Sequence, residues 1–129
     1  MKAMNDYKPT EAELEILSIL WKNGPSTVKA VNEEQNSRKK VGYTTTLKLM
    51  QIMTEKGVLD RLLEGRTHIY SPIILEEDVQ KRLMDRLLET AFRGSAKKLI
   101  MQALGNHKAS DEELNEIKEM IKRMEEGRP

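Results

Sequence analysis

Hydroxyl side chains and a lysine are grouped near the middle of the sequence, in a pattern suited to contact with a polyanion. Tyr43, Thr44 and Thr45 stand at the start of a predicted helix, and Lys48 follows about one helical turn later. Hydroxyl groups can hydrogen-bond base edges or phosphates, and threonine methyl groups can touch the methyl group of thymine. The alternative is structural, with one threonine capping the helix and Lys48 solvated. The group is a candidate for the base-reading end of a helix.

Basic residues on either side of this helix extend the candidate surface. Lys39 and Lys40 precede the helix and suit phosphate contact, while Arg66 is predicted at a hairpin tip, where it could hold the backbone or enter the minor groove. Residues 37–66 contain seven Lys and Arg against three Asp and Glu, a local charge of +4, although the whole chain carries +1. A polyanion responds to the local patch more than to the sum. On charge alone, ordinary surface variation explains the patch equally well.

Other kinds of site find little support in the residue types. The chain has no cysteine, which excludes a disulfide scaffold, a thiolate metal site and a cysteine nucleophile. Its two histidines, His68 and His107, are far apart in the sequence and make a weak case for a metal site. No serine stands in an elbow motif, and no glycine-rich loop precedes a helix. We expect no enzymatic activity, no metal and no cofactor.

Three predicted helices must position the basic middle of the chain. A capping-box pattern at residues 10–13 starts the first helix, which Gly24-Pro25 ends. Ser26 is predicted to cap the second helix, and the third begins near Tyr43 and is closed by Gly57. The helical spacing of apolar residues predicts an inward face for each. The residues on these faces are Leu14, Ile16, Leu17, Leu20, Trp21, Val28, Val31, Leu47, Met50 and Met53.

The chain then changes to the two-residue period of β-strands. Residues 58–63 and 66–70 are predicted as short strands joined by a turn at Glu64-Gly65, and Pro72 ends the second strand. A two-stranded hairpin is marginal alone and must lie against the helices. Three helices followed by a hairpin is the order of a winged helix-turn-helix domain. We therefore predict a mainly α fold with a small β-hairpin, in which residues 1–73 form the DNA-binding domain.

Three more amphipathic helices are predicted in residues 74–129. Gly94 and Gly105-Asn106 separate them, and Ser110 starts the last one. So short a group of helices does not easily close a core of its own. We assign residues 74–129 to a helical dimerisation region, with packing against the winged domain as the alternative. The predicted interface residues are Val79, Leu83, Leu87, Leu99, Ile100, Leu114, Ile117 and Ile121.

The apolar runs and the first residues bear on cellular location. A membrane span needs about 20 apolar residues, and the longest runs here are far shorter, as in Ile73-Ile74-Leu75. Residues 1–9 lack the apolar core of a secretory signal. We expect a cytoplasmic protein without membrane association.

An ordered set of short stretches carries a family resemblance. They are residues 10–17 with Leu20-Trp21 and Gly24-Pro25, then Tyr43-Thr44-Thr45 with residues 55–59, then Gly65-Arg66 with Tyr70-Ser71-Pro72. Over about residues 9 to 126, the sequence resembles the bacterial repressor family of penicillinase and methicillin-resistance regulators, which also includes copper-responsive repressors. The resemblance implies a homodimeric transcriptional repressor that binds an inverted repeat in double-stranded operator DNA. It also implies that the C-terminal helices form the dimer.

The sequence departs from that family at points that bear on regulation and packing. Copper-responsive members end in paired cysteines that bind metal, and this chain has none. Antibiotic-responsive members are inactivated by proteolysis at an Asn-Phe bond, whereas Gln102-Ala103 stands at about that position and no Asn-Phe pair occurs. A sensor protease that relieves repression is therefore an open alternative. In the third helix, Thr46 and Met53 replace a branched aliphatic residue and a leucine.

Two functions follow, of which the first is favoured. A homodimeric repressor would use the basic middle to bind its operator. A winged-helix adaptor for other proteins would instead use the acidic segment 110–127, whose local charge is −4. The basic middle favours the repressor, because an adaptor has no need of Lys39, Lys40, Lys48 and Arg66 in one region.

Overall fold

The computed structural model describes residues 7–106 and 109–127, which form six helices and one antiparallel hairpin. The mainly α class with a small hairpin is confirmed. The chain divides into an N-terminal unit, Met1–Leu83, and a C-terminal unit, Met84–Pro129. The elements are α1 (Glu11–Asn23), α2 (Val28–Asn36), α3 (Tyr43–Glu55), β1 (Leu59–Glu64), β2 (Thr67–Pro72), α4 (Glu76–Thr90), α5 (Ala96–Asn106) and α6 (Asp111–Glu125).

The start and end of α1 follow from local sequence, as predicted. The Glu13 amide donates to the Thr10 hydroxyl at 3.1 Å, and the Thr10 amide donates to the Glu13 carboxylate at 3.0 Å. This reciprocal pair satisfies two amides that a helix start leaves open. Gly24 ends the helix with a φ of 83°, which a residue without a side chain adopts at little cost.

The start of α2 differs from the prediction. Thr27, not Ser26, is the N-cap, and its hydroxyl accepts from the Ala30 amide at 3.1 Å. The backbone of Ser26 instead pairs with Tyr70 through two hydrogen bonds of 2.9 and 2.8 Å. Because this pairing holds Ser26 in an extended conformation, the helix begins one residue later than expected.

The start of α3 also differs from the prediction. Gly42 is the N-cap, and no side chain caps the first amides of the helix. The structural alternative, in which one threonine caps α3, is therefore wrong. Since Gly42 occupies the cap position, Thr44 and Thr45 both lie inside the helix, with their side chains exposed.

The hairpin is confirmed, with each strand displaced by about one residue from its predicted position. Leu59 pairs with Pro72 at its base and Glu64 with Thr67 at its end, so Gly65 and Arg66 form a two-residue loop. Gly65 has a φ of 66°. A positive φ at the first loop position matches the twist of a hairpin, and glycine is the residue that supplies it most readily.

The core of the N-terminal unit joins the three helices to the hairpin. Trp21 links α1 to the segment after the hairpin, since its indole NH donates to the Ile74 carbonyl at 3.1 Å. Leu14, Trp21 and Leu47, which were predicted to face inward, are only partly buried at the edge of this core. The buried hydrophobic residues are Ile16, Leu17, Ile19, Leu20, Val28, Val31, Met50, Met53, Val58, Leu59, Tyr70, Ile74 and Val79.

The C-terminal unit has a different character. None of its described side chains is buried, although α5 and α6 both carry apolar stripes. Ser110 caps α6 as predicted, accepting from the Glu113 amide at 3.1 Å. None of the helices in the described part of the chain is both long and apolar enough to cross a membrane.

Candidate nucleic-acid interface

The first turn of α3 presents polar side chains to the surface. Tyr43 is 50% exposed, and Thr44, Thr45 and Lys48 are also exposed. Thr46, which directly follows Thr45, is buried and holds its side of the helix against α2. The four residues predicted from the sequence therefore share one open part of a single helix.

The uncapped start of α3 adds backbone donors to this surface. The first amides of a helix have no partner within it, and here no side chain supplies one. Such amides, together with the positive end of the helix dipole, attract phosphate. Lys39 and Lys40 lie just before this end and are exposed. The segment therefore combines two cations with open amide donors.

Arg66 occupies a separate position at the end of the hairpin. It is exposed in the loop that joins β1 to β2. A six-residue strand is about 20 Å long, which is the approximate distance of the loop from the base of the hairpin. Arg66 could therefore touch a duplex at a point well removed from α3, and no hydrogen bond joins it to the other predicted site residues.

A groove of about 340 Å³ lies between α3 and β1. Lys48 and Arg61 supply its two cations, and Glu55 supplies one carboxylate. Arg61 was not among the site residues predicted from the sequence. The strand period could have indicated it, because Arg61 lies two residues after the buried Leu59 and therefore on the same face of β1. The other lining residues are Gln51, Ile52 and Thr54.

Lys56 has a partner within the fold and does not belong to the basic surface. Its ammonium lies 2.7 Å from the Glu13 carboxylate, which is buried and also accepts from the Tyr7 hydroxyl at 3.2 Å. Burial acts to raise the pKa of Glu13, but the Lys56 ammonium, the Thr10 amide and the Tyr7 hydroxyl outweigh it, so the pKa lies below its ordinary value. The pair joins the end of α3 to the start of α1.

The Glu13→Gln variant should be less stable than the wild type at neutral pH, and its free energy of unfolding should change less as the pH falls. Because the folded pKa of Glu13 is lowered, its contribution is complete above the ordinary glutamate pKa of about 4.3 and disappears as the pH falls through the folded pKa. Thermal unfolding between about pH 6 and 3 measures this. Glu33→Gln, at an exposed position of α2, is the control. If the stability of the wild type and of Glu13→Gln falls equally with pH, the Glu13 carboxylate does not make this contribution.

The histidines and acids give no sign of a metal site in the described residues. No cluster there contains three or more of the side chains that ligate metals. His68 lies in β2, with its ring edge-on to Tyr70 at 6.4 Å between centroids. His107 lies outside the described residues.

The residues predicted for a dimer interface fall into two groups. Val79 is 2% exposed within the N-terminal core, because the first part of α4 packs there, so its own chain already covers it. Leu83 packs against the same core. The others are half-exposed or partly buried in the C-terminal unit: Leu87, Leu99, Ile100, Leu114, Ile117 and Ile121.

Exposed methionines, which were not among the predicted interface residues, accompany this second group. They are Met84, Met101, Met120 and Met124. Gln102 and Ala103 are exposed within α5.

Comparison with known families agrees with this arrangement. Residues 9–123 match the model of the penicillinase repressor family. The chain belongs to the penicillinase repressor family. The match extends from the segment before α1 into α6, so both units of the chain are parts of this family's architecture.

Curated members of the penicillinase repressor family are similar along most of their length. The penicillinase repressor of Bacillus licheniformis is 26% identical over 112 residues, which are 87% of this chain and 88% of that protein. The methicillin resistance regulatory protein MecI of Staphylococcus aureus (strain N315) is 20% identical over 115 residues, 89% of this chain and 94% of its own. The transcriptional regulator BlaI of Mycobacterium tuberculosis (strain CDC 1551 / Oshkosh) is 28% identical over 87 residues, 66% and 63% of the two chains.

Solved structures support the winged-helix fold of this penicillinase repressor family member. The solution structure of the DNA-binding domain of the repressor BlaI has a TM-score of 0.50 and 28% identity, and the match covers 55% of this chain and 87% of that one. A MarR family protein from Bacillus stearothermophilus has a TM-score of 0.51 at 18% identity, with coverages of 98% and 79%. The second likeness concerns the fold alone.

Proposed function

We propose that this chain is a transcriptional repressor that binds an inverted-repeat operator as a homodimer and blocks transcription there. The observation that carries the proposal is the open start of α3. Exposed hydroxyl residues at positions 43–45 lie beside uncapped amides, with Lys39 and Lys40 before them and Lys48 after them. Membership of a family of repressors supports the same conclusion.

The groups at the start of α3 would have two different roles in DNA recognition, namely base contact and phosphate contact. A helix-turn-helix protein places the first part of the second helix of this motif in the major groove, where polar side chains reach base edges. In this chain that helix is α3. Tyr43, Thr44 and Thr45 would read bases. Lys39, Lys40 and the amides would hold phosphates, which fixes the position of the protein on the duplex. Arg66 would touch the backbone or the minor groove farther along.

A second copy of the chain is the partner we propose for the C-terminal unit. The C-terminal unit, which comprises the last part of α4 with α5 and α6, has no buried side chain among its described residues, so its apolar stripes need a surface to cover them. A symmetric pair would cover the same residues on both copies. It would also present two α3 helices to half-sites about 34 Å apart, one turn of the duplex.

Selection from a library of random duplexes tests the proposed function. Fluorescence anisotropy at low salt should show binding to random DNA, and repeated selection should enrich an inverted repeat. Sedimentation of the complex should give two chains per duplex. Failure to bind any duplex at low salt would refute the proposal and favour the protein adaptor.

Lys40→Ala should weaken binding to every duplex by a similar factor. A lysine on a phosphate carries no base preference, and its loss should reduce the slope of log K against log salt by about 0.9. Anisotropy titrations at several salt concentrations measure both effects. Lys81→Ala, at an exposed position of α4, provides the control. An unchanged slope in Lys40→Ala would reject the phosphate contact.

A further inference from the structure

A hydroxyl group is buried where α3 crosses α2. Thr46 is 1% exposed, and its hydroxyl donates to the Gln35 side-chain oxygen at 2.6 Å. The same hydroxyl oxygen accepts from the Asn32 side-chain amide at 3.0 Å. The Gln35 amide in turn donates to the Glu15 carboxylate of α1 at 3.0 Å. A chain of polar contacts therefore runs from α1 through α2 to the recognition helix.

A second set of contacts fixes the turn between α2 and α3. The Asn32 and Asn36 amides both donate to the Val41 carbonyl at 3.0 Å. The Val41 amide donates to the Asn36 side-chain oxygen, also at 3.0 Å. Both polar groups of this backbone unit are thus held by side chains of α2. Val41 lies one residue before Gly42, the cap of α3.

We propose that Asn32, Gln35, Asn36 and Thr46 form a positioning network that sets the rotation of α3 and thereby the sequence specificity of the protein. The proposal rests on the proposed function and assigns a role to residues outside the predicted DNA-contacting set. Apolar side chains can slide past one another, whereas hydrogen bonds weaken steeply when their angle changes. The network therefore resists rotation of α3 more strongly than an apolar contact of equal size.

Small rotations of α3 matter because base recognition is intolerant of displacement. A rotation of about 20° moves side-chain tips about 2 Å, given a helix radius of about 5–6 Å. Hydrogen bonds to base edges tolerate only about 0.5 Å. Lysine contacts with phosphates depend on charge and tolerate much larger shifts. Loss of the network should therefore reduce specific binding and leave non-specific binding unchanged.

The experiment compares affinity for the duplex that the wild-type protein selects with affinity for a scrambled duplex of equal length. Thr46→Val keeps the shape of the side chain and removes the hydroxyl. It should lower affinity for the selected duplex about tenfold, the equivalent of one good base contact, and leave the scrambled duplex within about twofold. Thr46→Ser restores the hydroxyl and should restore the ratio. Asn23→Ala, which removes a bond from α1 to Glu34 of α2 without touching α3, is the matched control.

Asn36→Ala keeps the test decisive if Thr46→Val does not fold. Its side chain is exposed, so the core is unchanged, while both of its bonds to Val41 are lost. The same selective loss is expected, with a circular dichroism spectrum equal to that of the wild type. If the folded variants keep the wild-type ratio of affinities for the selected and scrambled duplexes, the network has no positioning role. A wild-type protein that binds neither duplex would refute the proposed function, and this inference with it.

Discussion

In the proposed homodimer, replacing Leu87 and Ile121 with arginine should separate the two copies and lower affinity for the selected operator at least about a hundredfold. Leu87 is 45% exposed and Ile121 is 50% exposed, on α4 and α6 of the C-terminal unit. An apolar interface loses its stability when it must bury unpaired guanidinium groups. The effect on DNA follows because the second half-site is bound intramolecularly only while the two copies are joined.

The hundredfold loss of affinity can be converted to a free energy of binding. It corresponds to about 3 kcal/mol, which is modest beside the gain that linking two binding modules usually gives. A single winged domain retains its phosphate and base contacts and should bind weakly. The loss should therefore disappear on a duplex that carries only one half-site, where the second copy has nothing to hold.

A control with equal charge separates dimerisation from electrostatics. Ile73 and Leu75 are 51% and 61% exposed, and they lie between the hairpin and α4. Replacing both with arginine adds the same two positive charges outside the C-terminal unit. Sedimentation velocity should find this control dimeric and the Leu87/Ile121 variant monomeric. A dimeric Leu87/Ile121 variant with wild-type affinity would place the self-association surface elsewhere.

The parts of the fold that depend on neighbouring residues could be predicted from the sequence. The Thr10 capping box, the glycine at position 24 and the two-residue hairpin loop are each decided within a few positions. The start of α2 was misjudged because the backbone of Ser26 pairs with Tyr70, which is far away in the sequence. No local pattern records such a partner.

The burial of polar residues could not be predicted either, because their partners are also distant in the sequence. Glu13 is buried because Lys56 reaches it from the end of α3, and Thr46 is buried because Gln35 and Asn32 meet it. A sequence pattern marks such residues as surface, since charged and polar side chains are seldom buried without a partner. Only the tertiary fold supplies that partner.

The apolar stripe of α4 illustrates a different limit. Val79 and Leu87 are two helical turns apart on one stripe, but Val79 lies in the N-terminal core and Leu87 is half-exposed. The helical period identifies a face that will be covered, and it does not say what covers it. Arg61 has a related limit. The strand period places it on the same face of β1 as Leu59, but only the position of α3 in the fold makes that face one wall of a groove.

Reversing two charges beside α3, with Lys48→Glu and Arg61→Glu together, should reduce binding to all duplexes by about a thousandfold at about 0.1 M salt. Both cations line the groove between α3 and β1, where they outnumber the single carboxylate of Glu55. A phosphate held there would face three carboxylates after the change, and like charges in close contact cost several kcal/mol. The salt slope should also fall by about 2, the loss of two phosphate contacts.

A matched pair elsewhere shows whether position or total charge is responsible. Lys8 and Lys81 are exposed, and Lys8→Glu with Lys81→Glu changes the net charge by the same amount. If the groove holds phosphate, this control should lose no more than about tenfold through the long-range field, which salt screens within about 10 Å. Equal losses in the two double variants would mean that only the overall charge attracts DNA. In that case the groove between α3 and β1 would have no part in positioning the duplex, and Arg66 with Lys39 and Lys40 would have to fix its path alone.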